Sequence, residues 1–174
     1  MFNNYYCKVA KSLNTACAKQ SNMGIKGLEP GLFVNLEGCG SQTDFYRDAF
    51  NEIKDAIPYV NEEVTGTSGM RLPYFITCSV GELKSDPEDY YAAVLTPGRT
   101  PYEWNITFNQ DNPYHLGLDR TAGTVLHEYA HVVGEESEYR TEITNIKSLK
   151  KAGKNKIAEL MGEGSRYKPP SNFD

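Results

Sequence analysis

Residues 124 to 134 read Thr-Val-Leu-His-Glu-Tyr-Ala-His-Val-Val-Gly, which sets two of the chain's three histidines, His127 and His131, four positions apart with Glu128 between them. On an α-helix, positions i and i+4 share a face, so both imidazoles address one point about one turn apart. The flanking residues ask for that helix. Ala122, Val125, Leu126, Tyr129, Ala130 and Val133 recur at helical spacing, Asp119 is a good cap at the start, and Gly134 marks the end. The histidines fall beside this apolar stripe, at the border between core and cleft. Two neutral imidazoles so placed suit Zn²⁺, which also needs a third ligand, an open position for water and a carboxylate beside that water. Glu128, one residue round the helix, can be that carboxylate without being a ligand. The plain alternative is an amphipathic helix carrying two surface histidines and no metal.

The third ligand has to come from elsewhere in the fold. On an unbroken helix, Glu135 would stand about 12 Å along the axis from His127, too far for one ion. The chain must therefore turn back at Gly134, and the next helix opens with Glu135, Glu136, Ser137, Glu138, Tyr139, Arg140, Thr141 and Glu142. Each of these acids also has an ordinary use as a partner of the helix dipole.

Over these residues the chain resembles the zincin metallopeptidases. In the metzincin branch the motif continues H-E-x-x-H-x-x-G-x-x-H; Gly134 matches, but Ser137 stands where the third histidine belongs. In gluzincin-like families the third ligand is a glutamate on the following helix, often as E-x-x-A, and Glu138-Tyr139-Arg140-Thr141 is similar. E-x-R-T also resembles the second motif of small bacterial effector and toxin metallopeptidases. The resemblance covers about residues 100 to 146 and is closest over 127 to 131. It implies Zn²⁺ held by His127, His131 and Glu138, with Glu142 as the alternative third ligand and Glu135 or Glu136 behind them, and it makes Glu128 the general base of peptide-bond hydrolysis. It implies an extended peptide bound along an edge strand near Trp104–Gln110, and an oxyanion stabiliser for which His115 stands ahead of Tyr114, Tyr139 and Tyr167. A toxin of this kind is carried by a larger polypeptide or paired with an inhibitor or immunity protein.

The rest of the pattern predicts an α+β fold, a zincin-like single domain over residues 1–174. Tyr6, Val9, Ala10, Leu13 and Cys17 lie at helical spacing in an N-terminal helix over residues 1–24, followed by a loop to about Gly40. A helix capped by Ser41 or Thr43 carries Phe45, Ala49, Phe50, Ile53 and Ile57, stops at Pro58 and backs the sheet. Stretches 71–80, 89–97 and 103–110 have strand chemistry and give a small mixed sheet; in the last, Trp104, Ile106 and Phe108 alternate with Asn105, Thr107 and Asn109, as at an edge. The sheet and the active-site helix occupy 41–134. A helical part over 135–164 follows, with Tyr139, Ile143, Ile146 and Lys150 along one stripe and a short helix around Ile157, Leu160 and Met161. Residues 165–174 form a flexible tail.

The net charge of −5, from 18 basic and 23 acidic residues, gives no global attraction for nucleic acid. Lys147, Lys150, Lys151, Lys154 and Lys156 read as a solvated helix face. No apolar run is long enough to span a membrane, and the first 20 residues lack the apolar centre of a signal peptide, so export would need a specialised route. Cys7 and Cys17 are too far apart on one helix to bridge; a disulfide could join Cys39 to Cys78, or one of these to a cysteine of the first helix, although free buried thiols are expected. Two other functions stay open: a zinc-tied interaction module without catalysis, and a zincin-scaffold amidase acting on a cell-wall or other non-protein amide.

Overall fold

A computed structural model describes residues 25–29, 31–69, 74–83, 92–99, 101–110 and 117–164. The expected N-terminal helix, the tail, Tyr114, His115 and Tyr167 lie outside them. The architecture is mixed α+β around a four-stranded sheet. In chain order the elements are β1 (Leu32–Asn35), α1 (Thr43–Ile53), α2 (Ile57–Thr65), β2 (Tyr74–Gly81), β3 (Ala93–Pro97), β4 (Glu103–Asn109), α3 (Leu118–Val132), α4 (Glu138–Lys151) and α5 (Asn155–Gly164), with a 3₁₀ segment over Glu37–Gln42.

The strand order is β1-β2-β4-β3, with β1, β2 and β4 parallel and β3 antiparallel to β4. β1 falls where the pattern predicts a loop: Leu32, Phe33 and Val34 are all buried, so a parallel strand covered on both faces shows no alternation to read. β4 alternates as expected but is not an edge. It pairs with β2 on one side and β3 on the other, so Trp104–Gln110 offers no free backbone, and β3 takes the outer position.

One face of the sheet carries the core. Val34, Ile76, Cys78, Ile106 and Phe108 meet Tyr46, Ala49, Phe50 and Ile53 of α1 and Ala122, Val125, Leu126 and Tyr129 of α3. The Tyr46 ring stacks on Phe108 with centroids 4.1 Å apart. α1 and α3 therefore share one layer on the core face of the sheet. Pro58 does not end a helix either; it sits in the first turn of α2, where its missing N–H costs nothing.

The 3₁₀ segment is tied to the sheet by a disulfide between Cys39 and Cys78, with Cα atoms 5.4 Å apart and both residues buried, in place of the expected free thiols. Beside it, a Cβ added at Gly38 would run into the backbone carbonyl of Cys78, which cannot swing aside. Gly38→Ala is expected to cost about 1–3 kcal/mol of stability by overpacking, read as a lower urea midpoint at unchanged slope.

α4 packs on α2, α3 and α5 with Thr141, Thr144, Asn145, Ser148 and Leu149 buried, a mostly polar set; of the predicted Tyr139–Ile143–Ile146 stripe, Ile146 packs partly buried against the core and the Tyr139 hydroxyl is buried. Three of the five lysines of this region meet carboxylates, Lys147 with Glu63 at 3.5 Å, Lys154 with Glu52 at 3.2 Å and Lys156 with Asp119 at 2.7 Å, while Lys150 and Lys151 are exposed. Among the described residues, no helix is long and apolar enough to cross a membrane.

Candidate metal centre

α3 begins from Gly117, with Asp119 in its first turn and not at the cap, and runs to Val132. The chain then reverses. Gly134, at φ 115°, donates its N–H to the His131 carbonyl at 3.1 Å, and Glu135 donates to the Ala130 carbonyl at 3.0 Å, the double bond pattern that closes a helix around a left-handed glycine. Ser137 caps α4, its hydroxyl accepting from the Arg140 N–H at 3.3 Å. Glu138 is thus the first residue of the returning helix, delivered to the histidines by two local capping motifs.

His127, His131 and Glu138 converge, one ligand atom from each lying within 4.8 Å of the others. His127 Nε2 is 2.9 Å from Glu138 Oε2, His131 Nε2 is 3.3 Å from Glu138 Oε1, and the two Nε2 atoms are 3.2 Å apart. Ligands bound at roughly 2.0–2.1 Å around a tetrahedral ion stand about 3.3 Å from one another; the separations here are of that order, with the two imidazoles meeting different oxygens of Glu138, so the group could hold a metal ion. His131 Nδ1 is 2.6 Å from the Glu135 carbonyl. A carbonyl can only accept, so the Nδ1 proton is fixed there and the neutral ring turns its Nε2 lone pair toward the other two ligands.

In the metal-free chain the contact with the Glu138 carboxylate puts a proton on His127 Nε2, and a bound metal would have to displace it. The hydrogen bond from His127 holds the Glu138 carboxyl below its usual range, against partial burial. Burial alone would lower the His127 pKa, but the bond to Glu138 and the charges of Glu128, Glu138 and Glu142 outweigh it and raise it. Glu128 is 8% exposed, and burial pushes its carboxyl above the ordinary range, against the pull of His127 and His131 and helped by the nearby Glu138. A carboxyl whose pKa is raised by burial is a stronger base than a solvated one.

Of the candidate third ligands, Glu138 is the one brought to the imidazoles. Glu142 acts on His127 through its charge from one turn further on, Glu136 is exposed, and Glu135 turns its carboxylate to the Ser137 N–H at 3.0 Å. Tyr139 lies on α4 with its hydroxyl buried. The group missed in the sequence is the Glu135 carbonyl; a main-chain acceptor has no residue signature, and only the turn geometry reveals it. Comparison with known proteins adds nothing to this geometry: no family model, curated protein or solved structure matches the chain.

Proposed function

We propose that this chain is a zinc-dependent peptidase with a zincin-like arrangement, in which His127, His131 and Glu138 hold the ion and Glu128 is the general base. The observation that carries the reading is the convergence of the two imidazoles and the Glu138 carboxylate, with the buried Glu128 on the same helix turn. Bound zinc supplies a Lewis acid that polarises a carbonyl and acidifies water. Glu128 takes the proton of the attacking water and returns it to the amine nitrogen as the C–N bond breaks. The likeness of Glu138–Thr141 to the second motif of bacterial effector metallopeptidases extends the reading to a delivered toxin.

Substrate binding moves to β3, which contacts α3 and ends the sheet. The Asn109 N–H bonds to Ala92 O and the Gly98 N–H to Glu103 O, so residues 92, 94, 96 and 98 point their backbone groups at β4. Ala93 and Leu95 then direct theirs outward, followed by Pro97, which has no N–H. An extended peptide can add along this short edge. Leu95→Pro removes one outward donor and leaves the β4 ladder intact. Compared with Leu95→Ala, which equally loses the partly buried side chain packed on the core but keeps the N–H, it is expected to lower kcat/KM about tenfold, the worth of one hydrogen bond.

The test of the activity is digestion of a peptide library and of a peptidoglycan preparation by the zinc-loaded chain, with and without chelator. Peptide cleavage that is abolished by chelation and restored by zinc is expected. Intact peptides alongside cleaved peptidoglycan would replace the peptidase reading with an amidase one, and no cleavage of either would overturn both.

A further inference from the structure

The side chain of Glu135 has no place in the ligand set, yet it closes the turn on which that set depends. Its Oε1 accepts the Ser137 N–H at 3.0 Å, its own N–H reaches back to Ala130 O at 3.0 Å, and its carbonyl receives the Nδ1 proton of His131 at 2.6 Å. One residue is thus bonded at three points: to the end of α3, to the cap of α4 and to a ligand imidazole. Remove the carboxylate, and the Ser137 N–H loses its partner in the five-residue link, 133–137, that joins α3 to α4. The peptide plane carrying the carbonyl is then held from one side only.

We propose that Glu135 is a positioning residue: its side chain fixes the main-chain carbonyl that sets the tautomer and ring orientation of His131. The proposal deepens the metal-site reading and rests on it for its consequence, but its premise is a property of the metal-free chain. A neutral imidazole in water favours the Nε2–H form slightly, and that form would present a proton to the ion in place of a lone pair. Holding the proton on Nδ1 removes that competition before the ion arrives. It also couples the third-ligand helix to the second histidine, because the same residue sets the approach of Ser137 and hence of Glu138.

The requirement is for an acceptor at the side-chain end, not for a charge. Glu135→Gln keeps a carbonyl oxygen in reach of the Ser137 N–H, whereas Glu135→Ala keeps the backbone and loses the acceptor. Glu136→Ala, at an exposed neighbour, controls for loss of negative charge near the helix start.

The experiment has two readouts on the whole chain. Nitrogen-15 spectra of the metal-free protein at a pH where His131 is neutral report which ring nitrogen bears the proton. Competition with a chromophoric chelator gives the zinc affinity. Wild type, Glu135→Gln and Glu136→Ala are expected to keep His131 protonated on Nδ1 and to bind zinc within about twofold of one another. Glu135→Ala is expected to show mixed tautomers and roughly tenfold weaker binding, the usual effect of losing an outer-shell partner. An unchanged tautomer in Glu135→Ala overturns the proposal, as does equal weakening in Glu135→Gln. A wild type that binds no zinc but shows the Nδ1–H signature, lost in Glu135→Ala, upholds the positioning role and sinks the metal reading instead.

Discussion

Glu128→Gln is expected to abolish hydrolysis, lowering kcat by roughly 10²- to 10⁴-fold while the chain stays folded and keeps its zinc. Glutamine has nearly the shape of glutamate, so the packing around this buried position on α3 is preserved. It cannot take up a proton at neutral pH, and that is the one property the proposed reaction requires of Glu128. The ligand atoms belong to His127, His131 and Glu138, so zinc content should not change. Burial disfavours the charged carboxylate here, so replacing it with a neutral amide should leave the melting temperature equal or slightly higher. A variant that is inactive and also unfolded would instead make Glu128 a structural residue.

The second large effect concerns stability. The Cys39–Cys78 disulfide closes a loop with a sequence separation of 39 residues, and chain-entropy reasoning assigns such a link about 4 kcal/mol. Domains are stable by only about 5–15 kcal/mol, so this one bond is a large share of the whole. The double variant Cys39→Ala/Cys78→Ala, or the reduced chain, is expected to melt roughly 8–16 °C below the oxidised wild type. Both sulfurs are buried, so reduction should be slow until the fold opens, and alkylation of the oxidised native chain should find neither thiol. Such a bond persists in oxidising compartments, which is where the chain would keep its full stability. An unchanged melting temperature in the double variant would show that the sheet and α1 hold the 3₁₀ segment without it.

What could be read from the sequence was what is local. His127 and His131 meet because helix geometry alone puts i and i+4 together, and Gly134 had to reverse the chain because nothing else in the stretch could. Choosing Glu138 over Glu142 drew on a family resemblance; in the structure it follows from the cap at Ser137, which starts α4 one residue before the ligand. The features that went unread depend on distant partners. β1 is buried on both faces and carries no period; whether β4 lies inside or at the edge of the sheet depends on where β3 attaches, since alternation reports faces and not neighbours. Pro58 is compatible with both the end of one helix and the first turn of the next, and Ile57–Thr65 takes the second course. On α4 the buried residues Thr141, Thr144, Asn145 and Ser148 are polar and only Leu149 is apolar, so apolar spacing marks the partly buried Ile146 and not the centre of the packed face. The disulfide joins positions brought together by the β1–β2 pairing, which spacing alone cannot reveal.

The central claim is that these three side chains form one metal site. Its most direct test is zinc stoichiometry by elemental analysis on purified wild-type chain and Glu138→Ala, combined with X-ray absorption at the zinc edge. The account predicts about one zinc per wild-type chain in a nitrogen- and oxygen-ligated shell with two imidazoles, and much weaker retention in Glu138→Ala. A wild type that takes up no zinc, or equal retention with an unchanged shell in Glu138→Ala, would contradict it.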